Sequence, residues 1–323
     1  MSIPEETRLR LAEIPNLTVF ADAPLSRYTR FAIGGPADLY AESENEESFA
    51  AALCVARSSG MEIVVVGGGT NLIVADAGFR GIVLRYRGEK LLVSNGRVQA
   101  YAGAVLQDLV DFAIAHGLVG LETLAGIPGS VGAAVYGNAG AYGHSIAERV
   151  VKVRFYDGQA VRVFDNEECE FQYRESIFKR RKDWIVFSAE LRLDAGDAHA
   201  LRETADSILK VRNEKFPVTM KCAGSIFKNL LMKRLPADAA AQVPGSAVRE
   251  GKVPAAWFLE QVGAKGIVRG DIHVATYHAN LIYNAGAGTA ADLCALIGEL
   301  KARVADRFGI ELEEEVQYVG FPG

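Results

Sequence analysis

Cysteine is scarce in this chain: four in 323 residues (Cys54, Cys169, Cys222, Cys294), far apart and with no C-x-x-C pair. That spacing excludes a local zinc knuckle and predicts reduced thiols in a cytoplasmic protein. The five histidines show neither H-x-H nor H-E-x-x-H spacing, so no metal site is expected. Long apolar runs are missing too. No stretch could span a bilayer, and the opening MSIPEETRLRLAEIP is polar, without an apolar signal core, so neither membrane nor export is expected. Positive charge is not in excess: 35 Lys and Arg against 40 Asp and Glu give a net charge of −5, which argues against nucleic acid as a partner.

What is present is a composition ordinary for an enzyme, 50% hydrophobic and 23% charged, in a chain long enough for two domains. One stretch stands apart. Leu121 to Gly143, LETLAGIPGSVGAAVYGNAGAYG, is built largely of glycine and alanine and carries charge only at Glu122. Such residues let backbone approach backbone or a flat ligand and offer a core little to pack. The segment reads as a wall for a large phosphate-bearing cofactor, not as an amphipathic helix.

Helices and strands alternate without an internal repeat. Ser43-x-x-Glu46 predicts a capping box opening a helix to about Ser59, and Thr289-x-x-Asp292 predicts a second cap on a helix ending at Gly309. Leu106–His116 and Ala198–Glu214 have helical periodicity. Glu62–Val66 reads as a buried strand, Trp184–Leu193 as another, and Arg149–Phe164 as a hairpin turning at Asp157-Gly158. The acidic segment Ile310–Val319 is strand-like, with Glu311, Glu313 and Glu315 on one face and Leu312, Val316 and Tyr318 on the other. A boundary is expected near residue 200, where hairpins give way to helices.

A second glycine cluster, Gly67-Gly68-Gly69-Thr70-Asn71-Leu72, follows a strand but fails as a dinucleotide fingerprint, because Leu72 stands where G-x-G-x-x-G needs glycine. It lacks the Lys-Ser/Thr of a P-loop as well. What remains is a nest of backbone N–H groups suited to pyrophosphate. Paired with Leu121–Gly143, it suggests two walls around one dinucleotide. Farther on, Lys210–Arg234 holds seven basic residues against one acid, Glu214: a solvated face, or a local field for a polyanionic small molecule.

Six colinear motifs then carry a resemblance: Arg30-Phe31-Ala32-Ile33-Gly34-Gly35-Pro36-Ala37-Asp38, GGGTNLIV, GIPGSVGAAVYGNAGAYG, Tyr173-Arg174-Glu175-Ser176, AGSIFKN and HANLIYNAG. Over about residues 28–320 the chain resembles the UDP-N-acetylenolpyruvoylglucosamine reductase (MurB) family, in its shorter, type II form. The resemblance implies an α+β protein. Its p-cresol methylhydroxylase-type FAD-binding fold would comprise two subdomains, residues 1–85 and 86–200, followed by a C-terminal α+β substrate-binding domain at 201–309 and a strand at 310–323 carrying a catalytic glutamate. It implies non-covalent FAD, NADPH as co-substrate, and reduction of UDP-N-acetylglucosamine enolpyruvate to UDP-N-acetylmuramate, a cytoplasmic step of peptidoglycan synthesis, by a monomer.

By the same resemblance Gly67, Gly68, Gly69, Thr70, Asn71, Leu72, Gly126, Ile127, Pro128, Gly129, Ser130, Gly132, Asn138 and Gly140 fall on FAD-binding positions. Arg174, Ser225 and Glu315 match the catalytic residues; Tyr173, Lys215 and Asn229 match substrate contacts. The chemistry suits these types. Hydride added at C3 of an enolpyruvyl group leaves charge at C2 and on the carboxylate, which calls for a cation and a proton donor. Arg174 offers a planar fork for a carboxylate, although an arginine taken alone is a surface ion-pair partner. Ser225 would give the proton, although a Gly-Ser pair taken alone is a turn. Glu315 would assist at the carboxylate end, although an acidic edge taken alone is simply solvated. His278 and Asn280 are expected to shape the loop.

Three departures stand out: Ala133 in place of a second family glycine, Leu230 in place of proline, and an Ala/Pro-rich insertion between Asn229 and Trp257, read as a surface loop. Two alternatives stay open: a sugar or aldonolactone oxidase of the same flavin fold, which often tethers FAD to histidine (His144 is nearest), and a non-catalytic FAD- or UDP-sugar-binding protein.

Overall fold

The computed structural model describes residues 3–321. The chain forms two compact units, Met1–Ala23, Ala37–Gly69 and Arg80–Glu214 in the first, and Pro24–Pro36, Thr70–Phe79 and Lys215–Gly323 in the second. The main crossing falls at 214/215, and two short N-terminal segments join the C-terminal half.

The first unit is built on two main sheets, each with its own core. One runs in the order Thr18–Pro24, Pro36–Ser43, Phe79–Tyr86, Glu62–Val66, the last two parallel. Glu62–Val66 is only half-buried, because one face meets little of the core. Helix Glu46–Ser58 lays Phe49, Ala52, Leu53 and Ala56 against Leu39, Ile82 and Leu84, each large side chain contributing roughly 1.5–3 kcal/mol of burial. Its cap differs from the expected box. Asn45 accepts the Ser48 N–H at 2.9 Å, while Ser43 Oγ donates to the Asn16 carbonyl at 2.7 Å.

The other sheet is antiparallel throughout, Val161–Asp165, Val150–Tyr156, Ile185–Arg192, Arg97–Tyr101, Leu91–Ser94. The predicted hairpin forms, but pairing begins at Tyr156↔Val161, so the turn holds four residues. The Asp157 carboxylate closes it by accepting the N–H groups of Gln159 and Ala160 at 2.8 and 2.7 Å. The glycine-alanine stretch packs more than its composition suggests: Leu121, Leu124, Ala125, Val131, Ala134 and Val135 all enter this core. It folds as a short 3₁₀ turn at Glu122–Leu124 and a helix at Val131–Tyr136.

The second unit has the sheet Lys221–Ser225, Leu281–Asn284, Ile272–Val274, Val268–Arg269 under helix Ala290–Phe308. Leu293, Leu296, Ile297, Leu300 and Val304 form the helix's buried stripe, at 3.6-residue spacing. Both predicted ends hold: Thr289 accepts the Asp292 N–H at 3.0 Å, and Gly309 closes the helix at φ 63°. Asp76 accepts the Ala290 and Ala291 N–H groups at 2.8 and 2.9 Å, tying the segment Thr70–Phe79 to this helix.

Two expectations are corrected here. The insertion after Asn229 is no loose loop: Leu230–Leu231 pairs with Lys252–Val253, and helix Ala237–Gln242 sends Ala239 into the core alongside Val243. Within Ile310–Val319 only Gln317–Val319 is a strand, parallel to Leu72–Val74. Leu312 and Val316 are buried as expected, but Tyr318 is 40% exposed and Val319 takes the inward place. The alternation breaks where the ladder with Leu72–Val74 begins.

Candidate active site

In the first unit the two glycine-rich segments face each other. A Cβ on Gly67 would sit 3.0 Å from Ser130 Oγ and 3.7 Å from the Ala133 Cβ, so residue 67 has no room for a side chain without a shift. Gly67 and Gly68 are exposed, and Gly69 turns the chain at φ 65°. Gly126 donates its N–H to Gln107 Oε1 at 2.7 Å, and the Gly129 carbonyl accepts from Leu106 at 2.9 Å. Ile127 closes a turn onto the Leu124 carbonyl at 3.1 Å, leading into Pro128. Ser130 caps the helix it opens by accepting the Ala133 N–H at 3.3 Å. Gly132 lies so close to strand Arg97–Tyr101 and its continuation that a Cβ would meet the Ala102 Cβ at 2.8 Å. Bare backbone exposed at Gly67 and Gly68, faced by a half-buried wall of small residues, is what a dinucleotide's pyrophosphate and flat ring require, so these residues fit FAD. Ala133 is accommodated because it is exposed on this wall.

Asn138 and Gly140 do something the sequence did not reveal: they build the seat of Arg174. Gln172–Glu175 is a tight turn closed by backbone bonds of 3.0 and 3.1 Å in both directions. Arg174 occupies its third position at φ 59°, a left-handed slot that glycine or asparagine usually fills. Buried Asn138 donates to the Gln172 carbonyl at 2.8 Å, and Arg174 Nη2 donates to the Gly140 carbonyl at 3.0 Å. Lys179 reaches back to the Arg174 carbonyl at 2.8 Å and the Glu175 carboxylate at 2.9 Å. Fully buried Ser176 donates to the Tyr136 carbonyl at 2.7 Å, and burial together with Glu175 raises the Tyr136 phenol's pKa. The guanidinium lies over the Tyr173 ring at 5.4 Å. Strain of this kind persists where surrounding structure over-determines it, and it gathers at functional sites.

In the second unit Ser225 ends its strand just after a bulge. Cys222 pairs with Tyr283 and Ser225 with Leu281, so Ala223 and Gly224 oppose a single partner residue; Gly224 takes φ 78°. Such a bulge re-aims the residue that follows. Beyond it, Asn280 replaces a neighbouring strand. Its carbonyl accepts the Ile226 N–H at 3.1 Å, while its buried side chain both accepts from and donates to Phe227, each at 2.9 Å. The Asn280 N–H in turn donates to His278 Nδ1 at 3.2 Å. Burial, reinforced by Lys215, holds the His278 pKa down to about 4, so the ring is neutral and can accept that bond. The loop-shaping role expected of both residues is thus seen in their bonds.

Glu315 is brought to the residue after Ser225. Its N–H donates to the Ile226 carbonyl at 2.7 Å, and its own carbonyl accepts from Asn71 Nδ2 at 2.8 Å. Thr70, Asn71 and Leu72 therefore belong with Ser225 and Glu315 in the second unit, whereas Gly67–Gly69 belong to the first. Lys215 ends helix Ala198–Lys215; its carbonyl accepts from Tyr277 Oη at 2.9 Å and its ammonium lies 5.0 Å from the Phe216 ring centre. Asn229 is exposed, and its Oδ1 accepts the Ala255 N–H at 3.3 Å, capping helix Ala255–Gln261. Gln107 and Lys179, absent from the sequence-based set, hold the Gly126 and Arg174 backbones. Lys179 had a signal in its i,i+4 spacing from Glu175; Gln107 had none.

Comparisons with known proteins point to one family. A family model described as FAD binding domain matches residues 37–163, and one described as UDP-N-acetylenolpyruvoylglucosamine reductase, C-terminal domain, matches residues 216–319. The chain is 70% identical over 97% of its length to the UDP-N-acetylenolpyruvoylglucosamine reductase of Solibacter usitatus, covering 100% of that protein. It is 39% identical over 93% of its length to the one from Rubrobacter xylanophilus, covering 95% of it. Among solved structures it is similar to the UDP-N-acetylenolpyruvylglucosamine reductase of Thermus caldophilus, at 29% identity and a TM-score of 0.72, with 94% of this chain and 98% of that one covered. The fold is accordingly the expected α+β one, an FAD-binding fold of the p-cresol methylhydroxylase type with a C-terminal α+β domain.

Proposed function

The chain belongs to the UDP-N-acetylenolpyruvoylglucosamine reductase family, and on that premise we propose that it reduces UDP-N-acetylglucosamine enolpyruvate to UDP-N-acetylmuramate with NADPH, as a cytoplasmic monomer serving peptidoglycan synthesis. When bound, FAD would supply the hydride chemistry that couples oxidation of NADPH to addition at C3 of the enolpyruvyl group. Residues 1–200 would carry the cofactor, with Gly67–Gly69 and Gly126–Gly132 holding it. Residues 201–309 would carry the UDP-sugar, with 310–323 contributing Glu315.

The chain's own groups then complete the addition. Ser225 gives a proton to C2, so the carbon–carbon double bond gains one hydride and one proton while NADPH becomes NADP⁺. Arg174 faces the substrate carboxylate and stabilises the charge that develops there, a bidentate task for which lysine is a poor substitute. Glu315 holds the carboxylate end in the orientation that proton transfer needs. Lys215 offers charge to the diphosphate, Tyr173 and Asn229 line the substrate, and neutral His278 keeps the Ser225 loop in shape.

The observation that carries this reading is the backbone bond between Glu315 and Ile226, which brings the glutamate beside the strand ending in Ser225. The test is anaerobic. Purified protein should be yellow, bleach with NADPH and recover its absorbance on adding the enolpyruvyl substrate. Recovery with oxygen alone, and none with that substrate, would point to an oxidase instead.

A further inference from the structure

We propose that Asn71 is a positioning residue for Glu315, acting on the second half of the reaction and not only on the cofactor loop in whose sequence it sits. This rests on the reading that Glu315 assists the reduction. The main chain at Glu315 is held from two sides. Its N–H goes to Ile226, the residue after Ser225, at 2.7 Å. Its carbonyl has the Asn71 amide at 2.8 Å across 244 residues of sequence. The regular parallel ladder starts only at Leu72↔Gln317, where the Gln317 N–H donates to the Asn71 carbonyl at 2.9 Å. That ladder begins two residues beyond Glu315, and the Asn71 side chain extends the pairing to it.

The result is a three-segment clamp. Ile226–Lys228 lies on one side of the glutamate segment, with Lys228 N–H on the Glu313 carbonyl at 2.9 Å, and Asn71–Val74 on the other. The Glu315 carboxylate hangs on three rotatable bonds, so any shift of its backbone moves the whole range of positions it can reach. A misplacement of about 1 Å can cost roughly 100-fold in rate. An aspartate at 71 has nearly the same shape as asparagine but sets a carboxylate against the Glu315 carbonyl and cannot donate.

The experiment uses the full chain loaded with FAD, in Asn71→Asp and Asn71→Ala forms. FAD affinity is read by fluorescence, both half-reactions by anaerobic stopped-flow, and the peptide spanning residues 312–320 by hydrogen exchange. Any change in FAD affinity or in reduction by NADPH should be small beside the effect on reoxidation. Reoxidation by the enolpyruvyl substrate should fall roughly 100-fold, and exchange in the peptide should rise. Loss of FAD affinity together with slower reduction would make Asn71 a cofactor ligand and overturn the proposal, as would reoxidation at the wild-type rate. If the wild-type enzyme itself is not reoxidised by that substrate, the functional reading fails. The exchange experiment then decides the clamp alone, and unchanged exchange overturns it.

Discussion

Arg174 and Ser225 are held in opposite ways. Arg174 carries a left-handed backbone itself, at φ 59°, and side chains from Asn138 and Lys179 keep it there. Ser225 has an ordinary backbone because Gly224, one residue earlier, takes φ 78° in its stead. The difference follows from reach. A long guanidinium can be aimed by twisting its own turn, whereas a serine hydroxyl sits where its main chain puts it, so the strain is passed to a neighbour that bears it cheaply.

The comparison can be broken most forcefully at the residues themselves. Ser225→Ala should slow flavin reoxidation by the substrate about 1,000-fold, the scale of a lost general acid, with no change in melting temperature, because Ser225 bears no strain. A variant that turned over at the wild-type rate would end its role as donor. Arg174→Ala and Arg174→Gly should both lose about 100-fold in turnover. Thermal denaturation should nevertheless find the glycine form more stable than the alanine form by about 1 kcal/mol, since glycine accepts positive φ without strain. Equal stabilities would mean the turn is not strained.

Acid should loosen one region and spare the other. The unfolded imidazole of His278 titrates near 6.5 and the folded one near 4, so between these values the unfolded chain binds the extra proton. Stability is therefore full above about pH 6.5 and declines toward pH 4. The ring is partly exposed, which limits the expected loss to about 2 kcal/mol. Denaturant melts at pH 7 and pH 4.5 should show that difference shrink in His278→Gln, and exchange should rise in the Asn280 loop before the Arg174 turn. The smallest effect is expected at Gly224→Ala. A Cβ there meets nothing within 4 Å, so backbone strain alone should cost about 1 kcal/mol, read as a modest drop in melting temperature with slower reoxidation.

How much of this was legible depended on whether the cause was local. Thr289 and Gly309 announced a helix because capping acts over three or four residues. The two glycine segments announced bare backbone because no other side chain fits there. The seat of Arg174 was not legible: Asn138 and Gly140 reach it across 34 residues through bonds to carbonyls, which any sequence supplies. The bond from Asn71 to Glu315 was not legible for the same reason, since its amide reaches a backbone 244 residues away. The helix Ala237–Gln242 escaped notice because it buries little beyond Ala239, too small a stripe to show a period.

The pairing of Gln317–Val319 with Leu72–Val74 also has a temporal meaning. During synthesis the glycine loop emerges early, yet its continuation has no strand to pair with until translation has passed residue 319. Contacts that distant form slowly. A nascent chain can thus assemble the sheets of its first unit while the segment after the glycine loop still waits for its partner strand, and the pairing that borders Glu315 closes only once residues 317–319 have been made.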